Sequence, residues 1–194
     1  MNLLVRLQPW VLLGAAFGLG GCSTPTGTTS QPAAAVAPAN PAANVAEWRH
    51  TATRDFEHEF PGKGLGVSRR YDSEDGWADV YIYDLRETWV DGCSDPKFAG
   101  AFDAACEDVR AAAQLGHYAE VKSDPPETGT AGALPVRWIR FSYRHQGKPI
   151  ESYLLMTCAR GHVLKARVSL FVPTPANAWA SVQSLMQQQV RLIP

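Results

Sequence analysis

The sequence predicts an α+β domain, a mostly antiparallel sheet with elements in the order β-β-α-β-β-β-β-α and two covering helices. Three observations carry that prediction. Several stretches rich in β-branched and aromatic residues alternate apolar with polar positions, the period-2 pattern of strands that show one face to a core. Two other stretches repeat apolar residues at helical spacing behind a capping residue and a proline. The joints between the later strands are so short that they can only be hairpins, which makes neighbouring strands antiparallel.

The first pair is LGVSRRY (Leu65 to Tyr71) and ADVYIYDL (Ala78 to Leu85), separated by the turn formers DSEDG. In the second strand Ala78, Val80 and Ile82 point one way and are expected inside; Asp79, Tyr81 and Tyr83 point the other. A helix follows in SDPKFAGAFDAACEDVRAAAQLG, with Asp95 as candidate N-cap, Pro96 at the first helical position and Gly116 as the stop. Phe98, Phe102, Ala105, Val109 and Ala112 form its apolar stripe, and its alanines predict a close approach to a sheet. Strands resume with HYAEVK, LPVRWIRFSYRH, IESYLLMTCA and HVLKARVSLFV, joined in part by QGKP and RG. The chain closes with TPANAWASVQSLMQQQV, where Thr174 caps, Pro175 opens the helix, and Trp179, Val182, Leu185 and Met186 make the buried stripe.

These elements fill residues 47–194, roughly 150 residues and enough for a single domain with a real core. Ahead of them the composition changes twice. Residues 1–21 carry one cation, Arg6, and an apolar run from Trp10 to Leu19 of about ten residues, the length of a signal-peptide core rather than of a membrane span. Residues 22–46 begin with Cys22 and continue as an uncharged, ring-free tract of Ser, Thr, Pro and Ala that has no apolar face to bury. Such a tether would hold the domain about 25–30 Å from its attachment point as a random coil.

The segment Leu19-Gly20-Gly21-Cys22 resembles the lipobox of bacterial lipoproteins. The resemblance implies cleavage before Cys22, acylation of that cysteine, and a lipid anchor without a transmembrane helix. Ser23 follows the cysteine where enterobacterial lipoproteins kept at the inner membrane have Asp, which implies the outer membrane, with the domain facing the periplasm. The strand order, together with the tract GWADVYIYDL before the first helix and the long meander before the last, resembles the PsbP-like α/β/α sandwich and periplasmic lipoproteins of the DcrB type. That resemblance implies a binding, assembly or adaptor module rather than an enzyme.

An oxidising periplasm leaves Cys93, Cys106 and Cys158 to be placed once Cys22 carries lipid. A Cys93–Cys106 disulfide would pin the incoming loop to its helix; Cys106–Cys158 and a fully reduced trio are the alternatives. No C-x-x-C motif suggests redox catalysis. The five histidines are scattered and give no metal-binding pair. PGKGLG lacks the Lys-Ser/Thr ending of a phosphate loop and runs into a strand, so it reads as a turn. Neither a cofactor nor a metal is expected, and a net charge of −1 with pI near 6.5 gives no reason to expect nucleic acid.

That balance conceals an asymmetry. Residues 47–129 carry 18 acids against 9 bases, whereas residues 130–194 carry Glu151 alone against 8 bases. The two halves are expected to pack together and neutralise one another. Alternation also places Arg140 and Arg144 opposite the Ile139 row, and Lys165 and Arg167 opposite the Leu164 row. If both basic rows share a side with Tyr81 and Tyr83, they form a cationic, aromatic face for an anionic partner such as an acidic protein or an envelope glycan. Cross-strand pairing of the same cations with Asp79, Asp84 and Glu151 is the plainer reading. The function expected is a membrane-anchored, non-enzymatic binding or adaptor module with a protein partner in the envelope. The alternative is an immunity lipoprotein that plugs a periplasmic hydrolase with a rigid loop such as DPPETGTAG or RHQGKP.

Overall fold

A computed structural model describes residues 44–45 and 48–193; Cys22, the signal segment and most of the tether lie outside the described residues. Strands β1 (Asn44–Val45), β2 (Trp48–Asp55), β3 (Val67–Ser73), β4 (Gly76–Tyr83), β5 (Ala119–Ser123), β6 (Glu127–Ala131), β7 (Leu134–His145), β8 (Lys148–Ala159) and β9 (His162–Phe171) form one sheet. Its order is β1-β2-β3-β4-β9-β8-β7-β5, with β6 also paired to β7, and every pairing is antiparallel. Helices α1 (Phe56–Glu59), α2 (Phe98–Gln114) and α3 (Ala178–Arg191) complete the described chain. The architecture is α+β, as the sequence predicts, with α2 and α3 on opposite faces of the sheet.

The hairpins have local causes. Gln146 and Gly147 both take positive φ, 51° and 77°, between the paired residues His145 and Lys148. Arg160 and Gly161 do the same, at 52° and 74°, between Ala159 and His162. Two left-handed residues in a two-residue loop match the right-handed twist of the strands they join, which fixes the register of β7, β8 and β9. Strand β8 lies between β7 and β9 and is buried along both faces from Ser152 to Ala159, so it reads as a continuous apolar run rather than an alternating one.

One core lies between the sheet and α3. Ala78, Val80, Ile82, Leu155, Leu164, Ala166, Val168 and Leu170 meet Val182, Leu185 and Met186 there, with Trp48 and Tyr71 closing one side. On the other face α2 buries Phe98, Phe102, Ala105, Cys106, Val109 and Ala112, and Ile139, Phe141, Leu154, Met156 and Val163 are buried strand residues of that side.

Both long helices begin later than the sequence suggests. Asp95 precedes α2 rather than capping it: its carboxylate accepts the N–H groups of Val90 and Lys97, and its carbonyl accepts that of Phe98. Those bonds hold Asp95 below the usual carboxylate range. Thr174 likewise lies upstream of α3, which starts at Ala178 after a turn in which Pro175 O accepts the Ala178 N–H.

Three strands escape the sequence pattern: β1, which falls in the tract expected to be tether, β2 and β6. Residues 51–55 of β2, TATRD, are exposed on both sides, so no alternation marks them. Strand β6 is ETGTA, buried only at Ala131, and it folds the predicted loop DPPETGTAG into a hairpin arm against β7. That segment is therefore not a free projecting plug. PGKGLG is a turn, as its composition suggests, tied down by Gly64 O accepting the N–H groups of Asp84 and Leu85.

The charge asymmetry is settled in part across the halves. Asp124 meets Arg140 at 2.6 Å and Glu120 meets Arg144 at 3.3 Å. Within the acidic half, Arg54, Arg70, Lys97 and Arg110 hold Glu59, Asp72 with Asp79, Glu87 and Glu107. Among the described residues no helix is long and apolar enough to cross a membrane.

Candidate functional site

The register of the central strands sorts the six residues of the expected cationic face onto two sides. Arg140 pairs with Tyr153, which pairs with Val168; Arg167 pairs with Leu154, which pairs with Ile139. Residues directly opposite one another share a face, so Arg140 and Arg144 lie on the α3 side and Lys165 and Arg167 on the α2 side. The expectation of one face is corrected. Alternation relates each basic row only to the apolar row of its own strand, and the apolar rows of β7 and β9 face opposite helices.

Arg140 and Arg144 are exposed and already paired, Arg140 to Asp124 and, at 3.7 Å, to Glu151, and Arg144 to Glu120. This is the plain cross-strand arrangement, and pairs of this kind contribute little. Of the other carboxylates named with them, Asp79 turns to Arg70, and Asp84 accepts the Arg86 N–H to close a turn.

Lys165, Arg167, Tyr81 and Tyr83 do come together. In the register Asp79 faces Arg167, Tyr81 faces Lys165 and Tyr83 faces Val163. Lys165 Nζ sits 4.6 Å from the centre of the Tyr81 ring and 6.0 Å from that of Tyr83. The Arg167 guanidinium lies 4.8 Å from the Tyr118 ring and 5.6 Å from the Tyr143 ring, and donates to Tyr143 Oη at 3.4 Å. Small residues make that possible. Ser152 and Ser169 on β8 and β9 leave room above the sheet, and the Tyr143 hydroxyl hydrogen-bonds Ser169 Oγ at 3.1 Å.

The rings continue beyond the cations. Tyr118 and Tyr143 lie 4.4 Å apart, His145 lies 5.8 Å from both Tyr118 and Trp77, and Trp77 meets Phe171 edge-on at 5.8 Å. Phe171 and the adjoining Val172 are 39 % and 46 % exposed, so the strip opens to solvent at that end. Of its rings the sequence points only to Tyr81 and Tyr83; the others are scattered through three strands and a loop, and nothing in their spacing joins them.

The electrostatics follow from burial. Asp79, the carboxylate opposite Arg167, gives both oxygens to Arg70 at 3.0 and 2.8 Å, on its other side. Neither Lys165 nor Arg167 enters an ion pair among the described residues. Burial pushes the Lys165 amine down, an effect that Asp108 on α2 opposes and Arg167 reinforces. Burial lifts the Asp108 carboxyl, and it lifts the Tyr81 phenol to about 12, Asp79 adding to the effect there. The strip thus holds two recessed cations among neutral phenols, with one half-buried carboxyl at its α2 edge.

The three cysteines of the domain are free, so the Cys93–Cys106 disulfide is not formed. Cys93 points toward the strands, its Sγ 3.5 Å from Pro135 O and 3.9 Å from Met156 O, while Cys106 is on the buried stripe of α2. Burial raises the Cys106 and Cys158 thiols to about 11 and about 12, and Cys93 also rises. All three are protonated near neutrality and poor nucleophiles. Among the described residues no cluster of His, Cys, Asp and Glu is arranged to hold a metal. A recess of about 430 Å³ is lined by Ser73, Glu74, Asp75 and Asn177, and its carboxylates disfavour an anion.

No protein-family model matches the chain, and no curated protein does. Ten chains of solved structures are similar, two of them as follows. One is the solution structure of cyanobacterial PsbP, CyanoP, from Synechocystis sp. PCC 6803, at 15 % identity and TM-score 0.42, over 73 % of this chain and 78 % of that one. The other is PA94 from Pseudomonas aeruginosa, a protein of unknown function, at 14 % identity and TM-score 0.34, over 63 % of this chain and 76 % of that one. Likeness at this level assigns no activity; the α+β class rests on the topology described above.

Proposed function

We propose that this chain is a lipid-anchored, periplasm-facing binding or adaptor module of the bacterial envelope, and that it engages its partner through the α2 side of the sheet. The anchor and the tether are supported by the sequence: an apolar run that ends on Leu19-Gly20-Gly21-Cys22, then an uncharged Ser/Thr/Pro/Ala tract. One observation carries the binding face. Lys165 and Arg167 are recessed among tyrosine rings and form no ion pair among the described residues, whereas Arg140 and Arg144 on the opposite side are already neutralised. A protein that keeps two desolvated cations side by side bears an electrostatic cost, which an anionic partner would offset.

In-cell photocrosslinking tests this reading. A benzophenone amino acid at Tyr83 should give a discrete adduct with an envelope protein, and the same probe at Arg144 should give none. Adducts at Arg144 alone, or the same faint ladder at both positions, would overturn it. Cys22→Ser should move the chain from the membrane to the soluble fraction; retention in the membrane would remove the anchor.

A further inference from the structure

The strip is elongated. From Phe171 to Val163 it follows β9 for about 25 Å at the usual rise of a strand, the length of seven or eight extended residues. Lys165 and Arg167 sit toward its Val163 end, two residues apart on the same face of β9, with Tyr81 and Tyr83 beside them and Asp108 across, while Arg70 lies over Trp77 and Lys148 over Phe171 toward the other end. Arg167 Nε is the sole buried side-chain nitrogen or oxygen without a hydrogen-bond partner among the described residues. Such a group is costly unless something completes it. The carboxylate that the register places beside it is held by Arg70.

We propose that Lys165 and Arg167 form a recessed carboxylate-binding site for an acidic segment of a protein partner. An Asp or Glu side chain of that segment enters between the two cations, and its neighbours run over Tyr118, Tyr143, Trp77 and Phe171. This rests on the reading of the chain as a binding module and names the chemistry of the partner. Charge complementarity chooses the occupant. The chain's own tether is uncharged and cannot supply the carboxylate. A planar anionic membrane requires cations that protrude, whereas Lys165 and Arg167 are recessed; the exposed Arg140 and Arg144 belong to the other face and are matched by Asp124, Glu151 and Glu120. A guanidinium accepts a carboxylate through parallel N–H donors, and Arg167 Nε is the donor still free for it.

The test is an NMR titration of the isotope-labelled protein with a penta-glutamate peptide whose termini are blocked. Saturable amide shifts should concentrate in β4 and β9. Lys165→Met and Arg167→Met should each weaken binding tenfold or more, while Arg140→Gln and Arg144→Gln should change it less than twofold. Lys165→Arg, which keeps the charge, should retain binding; if Lys165→Met does not fold, Lys165→Gln supplies the uncharged comparison. The proposal is overturned by the absence of saturable shifts, by equal losses in the Arg140 and Arg144 variants, or by inorganic phosphate or phosphatidylglycerol vesicles displacing the peptide at equal concentration. A partner crosslinked through Tyr83 that ignores the Lys165 and Arg167 substitutions would leave the module reading standing and remove this site alone. Peptide binding with no partner in cells would do the reverse.

Discussion

The two faces of the sheet are built from alternate residues of the same strands, yet they differ in kind. The α3 face is aliphatic along β4 and β9, where Ala78, Val80, Ile82, Leu164, Ala166, Val168 and Leu170 are all buried. On the α2 face the same two strands carry Asp79, Tyr81, Tyr83, Lys165, Arg167 and Ser169, and apolar packing is concentrated under Phe98, Phe102 and Val109. The comparison separates two tasks. Apolar burial on the α3 side contributes stability in proportion to area, while the α2 side retains polar groups that stability alone would have replaced.

If that division is right, the largest loss comes from the α3 face. Leu185 is fully buried, and Leu185→Ala should destabilise the domain by about 2–5 kcal/mol in urea unfolding. A loss below 1 kcal/mol would mean that the α3 core is not the stabilising one. On the other face the close approach of α2 is the feature to test. Ala105 is 5 % exposed, and Ala105→Leu should cost about 1–3 kcal/mol because a packed helix-sheet interface has no room for the added carbons. Unchanged stability would show that α2 sits loosely there.

The smallest effect at neutral pH is the most diagnostic of the polar strip. Burial raises the Tyr81 phenol to about 12, whereas tyrosine in an unfolded chain titrates near 10. Above pH 10 the unfolded chain therefore holds fewer protons than the folded one, and stability falls as pH rises. The contribution is complete below about pH 10 and is lost through about pH 12. Tyr81→Phe should leave the urea midpoint at pH 8 nearly unchanged and lessen the decline between pH 10 and 12. Tyr153, raised to about 12 by burial and by its bond to Glu151, supplies part of the remaining decline. An identical alkaline profile in wild type and Tyr81→Phe would mean that Tyr81 is already open to solvent.

Legibility varied with how local the cause was. Strand β7 is legible to its ends and the RG turn as it stands, while the QGKP connection is two residues shorter than expected because Lys148 and Pro149 belong to β8; period-2 alternation and tight turns are written in adjacent residues. Strand β2 was missed because an exposed edge has no apolar row to reveal it. Asp95 and Thr174 suit helix caps by residue type, but Asp95 is used in a turn just upstream of α2, and α3 starts after Asn177, beyond Thr174. The candidate site was half legible. Tyr81, Tyr83, Lys165 and Arg167 were found as members of polar rows, while Tyr118, Tyr143 and Trp77 were not. Arg140 and Arg144 were added in error, since alternation says which residues share a side of one strand and nothing about which helix that side meets.

The sequence by itself determined the α+β class, the short hairpins, the two amphipathic helices and the tract of uncharged residues ahead of the domain. Each of these follows from interactions between residues a few positions apart. Only the tertiary structure decided which basic row faces which helix, that Asp79 would serve Arg70 and leave Arg167 without an ion pair among the described residues, and that Cys93 and Cys106 would point to different neighbours. Those outcomes depend on strand register and helix placement, which are fixed by contacts between residues far apart in the chain.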